Sequence, residues 1–227
     1  MGFLPYDRYD HMLNVGLTGG IASGKSTVDR MFVDKGAYLI DHDALAHRVE
    51  EPGRPVWKEI VSCFGPEILN EDRSINRERL GSLVFNDESK LKKLNDIVHP
   101  AVFNEWMMEI KEITRKEPRG IILSDIPLLF EVGWQDAVDA IVLIYISRDE
   151  QVRRLTERNG YSKREAEDRL NSQMSIDDKV LRSDYVINNE GSLKSTSENV
   201  DRVWTSLVEK ERIKSMKGKL FKLKDRK

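Results

Sequence analysis

Gly19-Gly20-Ile21-Ala22-Ser23-Gly24-Lys25-Ser26 decides the reading of this chain. Its spacing is G-x-x-x-x-G-K-[ST], a loop that cradles phosphates with backbone N–H groups. The context agrees with the pattern. Leu13-Asn14-Val15-Gly16-Leu17-Thr18 ahead of it is a short apolar-rich run, which predicts a buried strand. Val28, Met31 and Phe32 behind it share one face of a helix expected to stop at Gly36. The loop therefore leaves a strand and opens a helix, where N–H groups and the helix dipole favour an anion. Gly19 and Gly24 permit turns that a Cβ would hinder. Lys25 suits the β/γ-phosphates of a nucleotide, and the Ser26 hydroxyl suits Mg²⁺.

Working outward, Ala37-Tyr38-Leu39-Ile40 reads as a second strand running into Asp41-His42-Asp43. A helix follows, with Ala44, Leu45, Ala46 and Val49 expected on its inner face. Ile121-Ile122-Leu123, ending at Ser124-Asp125, reads as a third strand. Ala140 to Ile146 is a fourth, near-continuously apolar as buried parallel strands are. Tyr185-Val186-Ile187, ending at Asn188-Asn189, is a fifth, and a last helix carries Leu193, Val200, Val203, Trp204, Leu207 and Val208. Strands alternating with helices predict an α/β fold with a doubly wound, parallel five-stranded sheet. Ligands of such sheets collect at the carboxyl ends of the strands, which places Asp41 and Asp43 at the site edge.

Two stretches exceed what the sheet needs. In 51–118, Val56, Trp57, Ile60, Val61 and Phe64 mark one helix ending at Gly65, and Leu91, Leu94, Ile97 and Val98 mark another. Pro100 is expected to start a third, carrying Val102, Phe103, Trp106, Met107, Ile110 and Ile113. A crossover needs only about a dozen residues, so 51–118 reads as an inserted helical domain for the acceptor substrate. In 148–182, Arg153, Arg154, Arg158, Lys163, Arg164, Arg169, Lys179 and Arg182 are nearly balanced by acidic residues. That segment is expected to be a lid whose few inward arginines close on transferring phosphate. The nucleotide-binding core is then 12–50, 119–147 and 183–208, and 209–227 is a basic tail expected to fray.

Composition sets limits. The 227 residues are 33% charged and 39% hydrophobic, and the net charge of −2 argues against a general nucleic-acid binder. Cys63 is the single cysteine, so the chain has neither a disulfide framework nor a cysteine metal cluster, which suits the cytoplasm. The longest apolar run, Ile121 to Phe130, is broken by Asp125 and Pro127 and predicts no membrane span. No obligate protein partner is predicted. Residues 1–11 carry Asp7, Arg8 and Asp10 and are not a signal peptide. His11-Met12 reads as a junction with Met12 the natural start, so 1–11 are expected to be a non-native or disordered extension.

A phosphate-binding loop does not by itself define the transfer. A kinase acting on a hydroxyl needs a carboxylate to orient the nucleophile and accept its proton. Asp43 and Asp41 are the candidates, although Asp41 equally suits a helix N-cap. Asp125, ending the third strand, can hold Mg²⁺ through water. His42 reads as a spacer, whereas His99, inside the insertion, reads as a substrate contact or a packing residue. There is no N-K-x-D, Asp125-Ile126-Pro127-Leu128 is not D-x-x-G, and there is no L-S-G-G-Q. A small-molecule kinase, with a nucleoside kinase as one form of it, therefore leads over a nucleotide-dependent switch.

These stretches together resemble the dephospho-CoA kinase family. The resemblance rests on Gly16-Leu17-Thr18-Gly19-Gly20-Ile21 through Ser26-Thr27, on Asp41-His42-Asp43-Ala44-Leu45-Ala46 and on His99-Pro100. Asp125-Ile126-Pro127-Leu128-Leu129-Phe130-Glu131 is its most specific part. Gln151 through Arg158, Asn159-Gly160-Tyr161-Ser162, Arg169 to Gln173 and Asp184-Tyr185-Val186-Ile187-Asn188-Asn189 extend it, from Met12 to about Val208. Ala22 stands where the family often has Gly and His42 where Ala is common; neither change removes a functional group. The resemblance implies phosphorylation of the ribose 3′-hydroxyl of 3′-dephospho-CoA by MgATP to give CoA, the last step of CoA synthesis. It implies Asp43 as the base. It implies Lys25 and the loop from Gly19, Gly20, Ile21, Ala22, Ser23 and Gly24 to Ser26 and Thr27 on ATP, with Asn188 beside the adenine. Arg154, Arg158 and Arg169 become lid candidates, and Asp43, His99, Asp125, Leu128 and Arg169 acceptor contacts.

Overall fold

The structure, a computed structural model, describes residues 12–85 and 87–224, with side chains described as far as Lys217. The expected extension 1–11 lies outside the described residues. β1 (Leu13–Gly19) is buried along its whole length. It lies at the centre of a sheet completed by β2 (Tyr38–Asp41), β3 (Ile121–Asp125), β4 (Ala140–Tyr145) and β5 (Tyr185–Asn188). The order is β2-β3-β1-β4-β5. β1 is parallel to β3 and to β4, with Leu17 opposite Asp125 on one side and Val142 on the other, and β4 is parallel to β5. This register puts Asp125 level with the end of β1, where the loop begins.

Alternation along β1 decides what covers each face. Leu13, Val15 and Leu17 join one apolar cluster with Val28 and Phe32 of α1 (Lys25–Asp34) and with Val200, Val203 and Leu207 of α9 (Leu193–Lys224). Each such buried side chain contributes about 1.5–3 kcal/mol. On the opposite face Gly16 has no Cβ, and Leu129 and Val138 pack within 3.3 Å of where one would stand. Asn14, buried there, is satisfied: its Oδ1 accepts from Ser124 Oγ at 2.8 Å, and its Nδ2 donates to the Ala137 carbonyl at 3.2 Å. α9 continues through the basic segment as far as Lys224, and Lys214 of that segment pairs with Asp139 at 2.6 Å. Of the apolar residues read on this helix, Leu193 and Val208 are 68% and 45% exposed.

The chain divides into two compact units, one of the residues up to Ile40 with Lys111–Lys227, the other of Asp41–Ile110. In the first, α6 (Arg148–Asn159), α7 (Lys163–Asn171) and α8 (Ile176–Val180) lie between β4 and β5 in sequence. Each opens on a serine cap, Ser147, Ser162 and Ser175. Leu155, Ala166 and Leu170 form an apolar cluster against which Ile21 and Ala22 of the loop pack.

The second unit holds α2 (His42–Val49), α3 (Pro55–Phe64), α4 (Arg77–Val84) and most of α5 (Glu88–Lys116). Trp57, Ile60, Ile68, Leu80 and Trp106 are among its buried residues, and Trp57 Nε1 donates to the Arg73 carbonyl at 2.9 Å. Three expectations need correction here. His42 is no spacer: it is buried, edge-on to the Trp106 ring at 4.8 Å. Ala44 is exposed rather than inward. Pro100 does not start a helix but sits inside one continuous helix, α5. α4 was not legible as a helix, because Leu80 and Val84 are its only buried residues and Gly81 interrupts it; its cap is Asn76, whose side chain accepts from the Arg79 N–H.

An interior proline removes one backbone hydrogen bond and crowds the carbonyl four residues earlier, a cost of up to about 3 kcal/mol. Pro100 is exposed, so no buried contact offsets that cost. Pro100→Ala is therefore expected to raise the urea midpoint, by about 1–3 kcal/mol of stability. An unchanged or lower midpoint would mean that a bend at this point is required by packing.

Candidate active site

The loop follows β1 directly, and α1 starts at Lys25 with Gly24 as its N-cap. No side chain caps this helix, so its first N–H groups are left to an anion. The turn closes on one internal hydrogen bond, Ser23 N–H to the Gly20 carbonyl at 3.1 Å. Gly24 lies at φ 81°, where only glycine is comfortable, and a Cβ on it would stand 2.4 Å from Asn189 Nδ2. A Cβ on Gly20 would stand 2.0 Å from Gln151 Nε2. The glycines thus admit side chains from other elements as much as they admit phosphate.

Those side chains take the loop's carbonyls in turn. Gln151 Nε2 donates to Ile21 O at 2.9 Å, Arg154 reaches Ala22 O at 3.4 Å, and Asn189 Nδ2 donates to Ser23 O at 2.7 Å. Arg154 also donates to Asn189 O at 2.8 Å and pairs with Glu150 at 2.7 Å. Sequence reasoning marked Arg154 as a lid arginine for phosphate; here it is half-buried and engaged with the loop and the turn after β5. It missed Gln151 and Asn189 as site residues. Only their neighbourhood was visible, Gln151 opening a stretch of family likeness and Asn189 ending a strand.

Lys25 forms an ion pair with Asp125, both largely buried. The pair joins the loop to the end of β3, as the register of β1 with β3 requires. Ser26, the next residue, is exposed in the first turn of α1. Its hydroxyl and the Asp125 carboxylate are the oxygen donors that a hard cation prefers. Among the described residues no cluster of three His, Cys, Asp or Glu side chains forms a metal cage. These residues fit Mg²⁺ of the kind shared with substrate phosphates and water rather than a dedicated protein site.

Arg158 is exposed and donates to the neighbouring Asn159 at 3.1 Å. Arg169 is exposed with its guanidinium 4.3 Å from the Tyr161 ring centre. Leu128 is 39% exposed. Asn188 is exposed and its Oδ1 accepts from the Glu190 N–H at 2.9 Å. Glu131, in the same signature as Asp125, pairs at 2.8 Å with the fully buried Lys179 of α8. Asp43 and His99 belong to the second unit. Asp43 is exposed in the first turn of α2, and Asp41 caps that helix by accepting from the Ala44 N–H at 3.0 Å. His99 is half-buried on α5; burial pushes its imidazole below the ordinary value, against the opposing charge of Asp96.

Glu150 is the most perturbed acid of the first unit. Hydrogen bonds from Arg153 first, then from Arg154, hold its carboxyl down at about 2, against an ordinary 4.5. A depressed acid contributes stability above its unfolded value, and that contribution is lost as pH falls through the folded one. Glu150→Gln should therefore be less stable than the parent at pH 7, by about 1 kcal/mol for a partly exposed network. The gap should close between pH 4.5 and 2. Urea unfolding at pH 7 and pH 3 measures it, and a gap independent of pH would contradict the assignment.

The sequence matches the family model described as dephospho-CoA kinase over residues 13–195. It is 54% identical over 210 residues to a dephospho-CoA kinase of Syntrophus aciditrophicus, covering 92% of this chain and 89% of that protein. It is 46% identical over 184 residues to one of Geobacillus kaustophilus, covering 81% and 91%. The crystal structure of TT1252 from Thermus thermophilus superposes with a TM-score of 0.74 at 36% identity, covering 87% of this chain and 98% of that one. Dephospho-CoA kinase from Campylobacter jejuni gives 0.65 at 27% identity, covering 86% and 97%. With a phosphate-binding loop between β1 and α1 and this likeness over most of its length, the chain belongs to the dephospho-CoA kinase family, a family of P-loop kinases.

Proposed function

We propose that the chain transfers the γ-phosphoryl group of ATP to the ribose 3′-hydroxyl of 3′-dephospho-CoA, giving CoA and ADP. The observation that carries the nucleotide half is the uncapped N-terminus of α1 with Lys25 at its first position and Asp125 against it. The loop amides and Lys25 bind the β- and γ-phosphates, and Lys25 exchanges Asp125 for phosphate oxygens as it does so. Ser26 and Asp125 would hold Mg²⁺, Asp125 through water, and the ion would supply positive charge to offset that of the phosphates. Asp43 accepts the proton of the 3′-hydroxyl as that oxygen bonds to the γ-phosphorus and the bond to the β–γ bridging oxygen breaks. Arg154, Arg158 and Arg169 are the residues of the lid 148–182 that reach phosphate, Arg158 and Arg169 from exposed positions on α6 and α7.

The second unit supports an acceptor site. A cavity of about 590 Å³ is lined by Ala44, His47 and Arg48 of α2, by Glu50 just after it, and by Ser74, Ile75 and Arg77. His47 is four residues on from Asp43, so the two share one face of α2, about 6 Å apart along the axis. An acceptor with its hydroxyl on Asp43 has room for the rest of its body in this cavity. The lining charges are paired internally, Arg77 with Glu50 at 2.7 Å and Arg48 with Glu109 at 3.2 Å. Burial pushes the Glu50 carboxyl up, with Arg77 opposing. His99, Leu128 and Arg169 complete the acceptor contacts in this reading. The reaction belongs to the cytoplasm, where a single unpaired cysteine is stable, and requires no nucleic acid, membrane or obligate protein partner.

Two measurements test the reading. Asp43→Asn keeps the shape of the side chain but cannot take up a proton at neutral pH, so kcat should fall by about 10²–10⁴ with ATP affinity nearly unchanged. If Asp41→Asn is the crippling change instead, the two roles are reversed. Binding energy from remote parts of an acceptor is expressed in the transition state. AMP and adenosine should therefore be poorer acceptors than dephospho-CoA by about a hundredfold or more in kcat/KM. Equal values for all three would favour a general nucleoside or nucleotide kinase.

A further inference from the structure

Ala22 is at φ 61°, the left-handed region that a Cβ-bearing residue rarely occupies. Two loop peptides near it, Ile21–Ala22 directly before it and Ser23–Gly24 one residue beyond it, have their carbonyls taken by buried side chains. Ile21 O accepts from Gln151, which is 4% exposed, and Ser23 O accepts from Asn189, which is 8% exposed. Asn189 is itself oriented, because Thr196, fully buried, donates its hydroxyl to Asn189 Oδ1 at 2.8 Å. Across a trans peptide the C=O and the following N–H point in opposite directions. Fixing Ile21 O toward Gln151 turns the Ala22 N–H away from it, and fixing Ser23 O toward Asn189 does the same for the Gly24 N–H. A strained loop residue persists only where its surroundings over-determine it.

We propose that Gln151, which holds Ala22 in its left-handed conformation, and Asn189, which fixes the Ser23–Gly24 peptide, are positioning residues that aim the Ala22 and Gly24 amides at the nucleotide phosphates before the nucleotide arrives. The proposal rests on the reading of this loop as the nucleotide site. In a chain with glycine at position 22 the same conformation carries little penalty, and the brace matters less; with alanine it matters more. Loss of the Gln151 donor lets the Ile21–Ala22 peptide rotate and Ala22 relax, and loss of the Asn189 donor lets the Ser23–Gly24 peptide rotate. The competent loop then becomes a minor state, and apparent affinity falls by its population.

The test is a double-mutant cycle on the full chain, read by calorimetric titration with MgATP and by steady-state kinetics with dephospho-CoA. Gln151→Met keeps length and volume and removes the donor. It should weaken MgATP binding about three- to tenfold, the worth of one such hydrogen bond, and raise KM for ATP more than it lowers kcat. Thr196→Val, which frees the Asn189 carboxamide without removing it, should act in the same direction and keeps the test open if a change at Asn189 itself does not fold. Adding Ala22→Gly should recover most of the loss in the Gln151→Met background and gain distinctly less in the parent, a coupling that a merely packing role does not produce. The proposal is overturned if Gln151→Met binds MgATP as tightly as the parent, or if Ala22→Gly gives the same change in both backgrounds. If the parent itself binds no MgATP, the nucleotide reading fails, and the brace with it.

Discussion

A strand-to-helix turn that is to receive an anion must keep its N–H groups out of ordinary hydrogen bonding. The turn at Gly20–Gly24 makes one internal bond and opens α1 without a side-chain cap. Its carbonyls are bound from outside, by two residues of α6 and one just past β5. Much of the first unit follows from this. β1 is central, so the turn emerges from the most buried strand; α1 is anchored through Val28 and Phe32; and the α6–α7 cluster packs on Ile21 and Ala22. The loop is set between two rigid supports rather than tied by bonds of its own.

The same arrangement gives α6 two duties. Its N-terminal half, with Gln151 and Arg154, is fastened to the loop, while Arg158 near its end is exposed, and Gly160 closes the helix in the left-handed conformation at φ 69°. A segment built this way has a fixed base and an exposed far end. Glu131 and Lys179 fasten the other end of the segment to the loop after β3 with a fully buried ammonium. Removing one partner of such a pair costs about 3–5 kcal/mol, so this anchor is structural as well as positional.

The parts of the fold legible in the sequence were those with a repeating physical signal. Five apolar runs found five strands, and the loop located Lys25 and Ser26 at the start of α1. Asp125 was legible because it ends an apolar run, and Asp41 because a carboxylate after a strand and before a helix is a cap. What escaped had no local signal. Gln151 and Asn189 act through contacts separated by 130 and 166 residues in sequence. The left-handed alanine at position 22 cannot be read from composition, and the burial of His42 depends on Trp106, far along the chain. Pro100 misled because its usual place is the first turn of a helix, whereas α5 carries it in its interior. Arg154 was legible as an arginine of the lid, but its bonds to Ala22 O and Asn189 O were not, since they link residues far apart in sequence.

The central claim is that this loop directs phosphoryl transfer onto dephospho-CoA. It is tested most directly by incubating the chain with MgATP and dephospho-CoA and identifying the product by mass and by phosphorus NMR. The account predicts one added phosphoryl group, on the ribose 3′-oxygen, formed by the parent and not by a folded Lys25→Met variant. Consumption of ATP with dephospho-CoA left unmodified, or equal turnover by Lys25→Met, would contradict it.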